Sequence, residues 1–171
     1  MNPTTLPSAG LLVLRLVVGA TFLVHGLDKL VDLTEAERFF AAQSIPVPGA
    51  MAPFVAATEI VGGVLLIVGL ATPLVAVALT IDMLVALLTT HIDQGFFAAD
   101  GGVELVLLLG VASLAIALAG PGRFSVDAVS GLGRHVSVEA ALRLTRRISR
   151  RAGPAPLEPP RKTSLPKEAS P

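Results

Sequence analysis

The sequence contains no cysteine, no tryptophan and no tyrosine. Without thiols, disulfide exchange, thiolate metal sites and iron–sulfur clusters are excluded as chemistry of this chain. Without Trp or Tyr, the usual interfacial anchors are missing and no indole or phenol can relay electrons. The aromatic set is reduced to Phe22, Phe39, Phe40, Phe54, Phe96, Phe97 and Phe124. Charge is scarce as well, at 15% of residues against about 25% in a soluble domain. What is abundant is apolar: 53% of the 171 residues are hydrophobic and the mean hydropathy is +0.75. These values describe a one-domain polytopic membrane protein. The formal net charge is zero, yet ten of the thirteen Lys and Arg residues lie from Arg123 onward.

Four long apolar runs are expected to span a bilayer, at about residues 11–27, 51–70, 73–90 and 103–119. The first reads as a retained helix and not a cleaved leader, because the residues before it lack Lys and Arg and Arg15 interrupts the run. Residues 28–49 form a loop in which Thr34 and Glu37 have capping-box spacing. They predict a short amphipathic helix from about Glu35 to Gln43, ended by Pro46 and Pro48. Pro53 falls in the first turn of the second span. The link Ala71-Thr72-Pro73 is so short that spans two and three must be antiparallel neighbours, with Thr72 as cap. Asp100 is expected to cap the fourth span, and Gly120-Pro121-Gly122 to stop it.

Beyond the spans, residues 129–152 read as a basic amphipathic surface helix, in which Val138, Leu142 and Ile148 oppose a crowd of arginines. The Pro-rich stretch 153–171 reads as disordered. The fold class is therefore all-α: a four-helix transmembrane bundle over residues 1–128, with a short amphipathic helix in the first outer loop and a basic cytoplasmic tail. The positive-inside rule puts both termini in the cytoplasm and the two longer loops outside.

Arg15, Glu59, Asp82 and Glu104 each interrupt a different apolar run. A charged group at a helix centre costs about 2.5–3.5 kcal/mol on insertion scales, so it has a partner or a task. Counting depth along each span gives two clusters. The inner one pairs Arg15 with Glu59, Asp82 or both, as a structural ion pair whose guanidinium would hold a carboxylate charged. The outer one gathers His25, Lys29, His91 and Glu104, where a histidine beside a carboxylate can exchange protons near neutral pH. Structural readings stand beside these: an intramembrane pair can simply fix helix register, and Glu104 suits the first turn of a helix. Phase raises one conflict. On a straight helix Asp82 and His91 point in opposite directions, so His91 must lie past the helix end or one of the two must face away.

The ordered set Arg15, His25-Gly26-Leu27-Asp28-Lys29-Leu30, Glu59-Ile60-Val61-Gly62-Gly63, Gly69-Leu70-Ala71-Thr72-Pro73, His91, Gly101-Gly102-Val103-Glu104 and Gly120-Pro121-Gly122-Arg123-Phe124-Ser125-Val126-Asp127 resembles the DoxX family of small membrane proteins. The likeness covers about residues 10–128, and the arginine-rich extension departs from it. The resemblance implies a four-helix membrane protein in the cell membrane. It also implies a link to quinone-dependent sulfur oxidation or to membrane oxidoreductase complexes in oxidative-stress defence. Carried onto this chain, it makes Arg15, His25, Lys29, Glu59, His91 and Glu104 the candidate positions.

In the redox reading a quinone head group binds His25, Lys29, His91 and Glu104, with Glu59, His25 and Glu104 as the proton-handling catalytic set. The chain encodes no redox cofactor of its own, and no metal site is predicted. A haem held between His25 and His91 is a lesser variant. The alternatives are a non-catalytic scaffold that recruits a soluble oxidoreductase, and a proton or small-solute pathway. The partners implied are membrane lipids, a soluble oxidoreductase and further copies of the chain, with no nucleic acid.

Overall fold

The computed structural model describes residues 5–130. The predicted surface helix over 129–152, beyond Ser130, and the tail 153–171 lie outside the described residues. Every regular element described is helical: α1 (Thr5–Val31), α2 (Leu33–Ala42), α3 (Pro48–Val68), α4 (Thr72–Ala86), α5 (Glu104–Ala119) and α6 (Val126–Ser130). A π-helical turn, Leu87–His91, extends α4, and a 3-10 turn, Ala98–Asp100, precedes α5. No strand occurs among the described residues.

Three stretches are long and apolar enough to cross a membrane: Pro7–Val31, Pro48–Val68 and Thr72–His91. The fourth, α5, is shorter. Its 16 residues reach about 24 Å at 1.5 Å per residue, against a hydrocarbon core of about 30 Å. The first span is longer at both ends than its apolar run suggests. Asp28 and Lys29 do not break α1, because helix propensity tolerates charge once the backbone leaves the hydrocarbon.

The core is a four-helix seam. Val18 and Phe22 of α1, Leu66 of α3, Leu79 of α4 and Ile116 of α5 are buried together. The outward faces are as apolar as the inward ones: Val17, Val61, Leu74, Ile81, Leu108 and Leu118 are all exposed. Apolar surface on that scale has hydrocarbon, not water, as its solvent. α2 lies across α3, with Ala36 and Phe40 packed on Ala52.

The α1–α3 contact depends on missing side chains. A Cβ built on Gly19 would lie 2.7 Å from the Gly63 carbonyl oxygen, and one on Gly63 would lie 2.6 Å from that of Gly19. Small residues let two membrane helices approach until backbones touch, which maximises dispersion contact where no hydrophobic force acts. Gly19→Ala is therefore expected to force the pair apart and destabilise the bundle by about 1–3 kcal/mol. Thermal unfolding in detergent measures it, and an unchanged midpoint would contradict the close contact.

Three local expectations change. Asp32, not Thr34, caps α2: its carboxylate accepts the Glu35 N–H at 2.9 Å. Asp32 and Glu35 repeat the same spacing, and a carboxylate is the stronger acceptor. α3 starts at Pro48, so Pro53 lies inside the helix and not in its first turn. Asp100 sits in the 3-10 turn and does not cap α5. The N–H groups of Val103 and Glu104 are met instead by the carbonyls of Gly95 at 3.0 Å and Phe96 at 2.9 Å, because the loop folds back on itself.

Candidate functional site

At one end of the bundle the residues from Phe22 to Lys29 on α1 face residues of α3 and α4 across a cavity of about 330 Å³. Phe22, His25 and Lys29 share a face of α1 at i, i+3 and i+7 spacing. Gly26 lies alongside that face. A Cβ there would come within 2.9 Å of both the Ala56 carbonyl oxygen and the Glu59 Cβ. That bare backbone brings Lys29 within reach of Glu59. The ammonium donates to both carboxylate oxygens, at 2.9 Å to Oε1 and 2.6 Å to Oε2. Glu59 is buried. Its carboxylate also interacts electrostatically with His25. The pair is the membrane equivalent of a desolvated salt bridge, whose attraction must offset the removal of both charges from water.

Asp82 reaches the same cavity from α4. It lies in the electrostatic field of both Glu59 and Lys29. Its Oδ2 is buried and has no hydrogen-bond partner. His91 arrives there through the π turn. On a regular helix nine residues amount to about half a turn of offset. The π turn takes up an extra residue, equivalent to about 100° of rotation, and so returns His91 to the side of Asp82. The phase conflict in the sequence is resolved by backbone geometry and needs no break in the helix. The ring Nδ1 then meets the Gly101 carbonyl oxygen at 2.6 Å. The walls between these groups are apolar, formed by Phe22, Phe40, Met51, Met83, Val106 and Leu109.

Two expectations about the polar groups fail. Arg15 pairs with neither Glu59 nor Asp82. It is fully buried at the opposite end of the bundle, where it holds backbone carbonyls: Nε donates to Leu66 O at 3.1 Å, Nη2 to Phe124 O at 2.8 Å, and Nη1 to Pro121 O. A guanidinium can satisfy several carbonyls at once with its fixed fork of donors. The inner and outer clusters therefore divide differently: Glu59 and Asp82 join Lys29, His25 and His91, and Arg15 stands apart. Glu104 does not line the cavity. It is exposed, and its carboxylate accepts the Ala98 N–H at 3.0 Å, pinning the loop before α5. Glu104 does sit in the first turn of α5, as the structural alternative has it, but its carboxylate is engaged by the preceding turn.

Asp127 had no role in the sequence reading. Its two carboxylate oxygens accept the N–H groups of Ala71 and Thr72, both at 2.8 Å, and so cap α4 in place of Thr72. The Asp127 N–H donates to Gly69 O at 3.0 Å. Gly69 carries φ +75° and ends α3. A Cβ there would lie 2.8 Å from Arg15 Nη2. Arg15, Gly69 and Asp127 thus form one clasp that fastens the chain after α5 to the α3–α4 turn. The signal was the Gly-Pro-Gly stop followed by an acid seven residues after Gly120. Asp127 lies beyond the apolar spans, so no count of depth or helical phase leads from it to the α4 terminus.

Comparison with known proteins places these residues in a family. The DoxX family model matches residues 10–92. A protein of Bacillus subtilis (strain 168) named "Putative oxidoreductase CatD" is 36% identical over 118 residues, covering 69% of this chain and 84% of that protein. "Uncharacterized membrane protein Rv3486" of Mycobacterium tuberculosis (strain ATCC 25618 / H37Rv) is 34% identical over 130 residues, covering 67% of this chain and 77% of that protein. No solved structure matches the chain significantly.

Proposed function

Since the chain belongs to the DoxX family of membrane proteins, we propose that it is the membrane subunit of a quinone-linked oxidoreductase system, with the cavity between α1, α3 and α4 as the head-group site. The carrying observation is the Lys29–Glu59 pair, with Asp82 and its unpartnered oxygen, among the residues of a cavity lined mostly by apolar side chains. The name of the Bacillus subtilis relative supports a redox setting.

The lining fits such a ligand. A cavity of about 330 Å³ is at the lower end of small-molecule sites. Its Phe22, Phe40 and Met83 walls suit a flat ring, and five ionisable groups line it beside them. When bound, a quinone supplies two-electron exchange that no side chain here can provide. The chain's own residues hold the ring, exclude water and handle protons. Lys29 keeps Glu59 in place and stabilises negative charge on a ligand oxygen. His25 and His91 present ring nitrogens to the same space, and Asp82 offers a free carboxylate oxygen. The electron donor belongs to a soluble partner.

Four crossings accompany this reading. α5 crosses a locally thin bilayer, a mismatch that membranes accommodate at modest cost. The cations from Arg123 onward face the cytoplasm, as does the N-terminus. Lipid extracted from the purified full chain is expected to contain quinone at close to one per protein. His25→Ala membranes are expected to lose most quinone-linked electron transfer. A preparation free of quinone, together with unaltered transfer in His25→Ala, would refute the proposal.

A further inference from the structure

Among the described residues, three buried side-chain oxygens have no hydrogen-bond partner: those of Thr72, Ser113 and Asp82. The first two belong to residues that do not line the cavity, whereas Asp82 does line it. A buried polar atom without a partner costs about 1–3 kcal/mol, so this oxygen awaits a donor.

The neighbouring groups are short of donors too. His91 Nδ1 lies 2.6 Å from the Gly101 carbonyl oxygen. A carbonyl only accepts, so the proton of the neutral ring sits on Nδ1 and Nε2 keeps its lone pair. The Thr89 hydroxyl gives its proton to Val85 O at 2.8 Å and retains only accepting capacity. Lys29 directs its ammonium at both oxygens of Glu59, at 2.9 and 2.6 Å. One N–H of its three is left over. His25 can act either way. The unspent capacity of the cavity thus leans towards accepting: Asp82, His91 and Thr89 accept, against one N–H each on Lys29 and His25.

A ring ligand satisfies such a wall with hydroxyl groups, which donate, and not with carbonyls, which cannot. We infer that the cavity holds its head group preferentially in the reduced, hydroxyl-bearing form, with the Asp82 carboxylate as the principal acceptor and His91 as the second. This rests on the quinone reading above and adds a direction to it. Asp82 becomes a specificity-determining residue in place of a member of an ion pair with Arg15. Preference for the reduced form also raises the potential of the bound couple, by about 30 mV for each tenfold of affinity in a two-electron exchange.

The test uses the full chain in nanodiscs under anaerobic conditions. A decyl-substituted benzoquinone and its hydroquinone are titrated separately and binding is read by equilibrium dialysis. The hydroquinone is expected to bind about tenfold more tightly, the worth of one charge-assisted hydrogen bond. Asp82→Asn, which exchanges an accepting oxygen for an amide donor, is expected to bring the ratio to about one by weakening the hydroquinone alone. Equal affinities in the wild type, or a tighter quinone, overturn the inference and leave the quinone site standing. A wild-type preference that survives Asp82→Asn removes Asp82 from the role. Binding of neither form overturns the site itself. If Asp82→Asn does not fold, the wild-type ratio still decides.

Discussion

Lys29→Met is expected to lower the stability of the folded protein by about 3 kcal/mol, while Lys29→Met combined with Glu59→Met restores most of it. Removing one partner of a buried ion pair leaves the other charge stranded, at a cost of about 3–5 kcal/mol. The lower figure applies because the Lys29 side chain is 25% exposed and the Glu59 side chain 4%. Replacing both partners removes the attraction and the desolvation penalty together, and such replacements are often neutral. Chemical or thermal unfolding in detergent compares the three variants. The same double variant separates architecture from chemistry. It should fold, yet bind the proposed quinone more weakly, because the charged pair is gone while His25, Asp82 and His91 remain. A double variant as unstable as the single one would mean that the pair contributes more than its mutual neutralisation.

Arg15→Met should be the most damaging single substitution in the bundle. Arg15 is 1% exposed, and its guanidinium serves the carbonyls of Leu66, Pro121 and Phe124. Each buried carbonyl left without a donor costs about 1–3 kcal/mol, and because the bonds to Pro121 and Phe124 are only part-buried the total loss is about 3–6 kcal/mol and not the full sum. Arg15 also interacts electrostatically with Asp127, so the cap on α4 weakens with it. Arg15→Lys keeps the charge but not the planar fork, and should recover only part of the loss. The yield of folded protein and its unfolding temperature are the measurements. Normal folding of Arg15→Met would show that the carbonyls find donors elsewhere, and would remove the clasp from the account of stability.

The sequence made the helical architecture plain because apolar runs of hydrocarbon length have few other solutions. It also identified the ionisable residues of the cavity. His25, Lys29, Glu59, Asp82 and His91 all belong to it, since ionisable groups within apolar runs are rare and must face inward. Their pairing was not legible. Depth was counted from estimated span boundaries, and α1 runs on to Val31, which moves Lys29 against Glu59. Arg15 looked like a partner for an acid because a charge invites an opposite charge. The sequence carries no mark of a backbone carbonyl, although three of them served. The π turn was invisible for a related reason: composition over 87–91 is ordinary, and the extra residue per turn appears only in the backbone hydrogen bonds. Glu104 lies outside the cavity because the loop before α5 folds back and engages its carboxylate.

The two polar centres stand at opposite ends of the bundle, and they are fastened differently. Arg15, Gly69 and Asp127 engage main-chain groups, whose positions hold whatever side chains surround them. The cavity end rests chiefly on a pair of side chains, Lys29 and Glu59, so their joint replacement alters what is recognised at little cost to the helices. A lineage built this way can exchange one small-molecule preference for another while the far clasp keeps the scaffold intact.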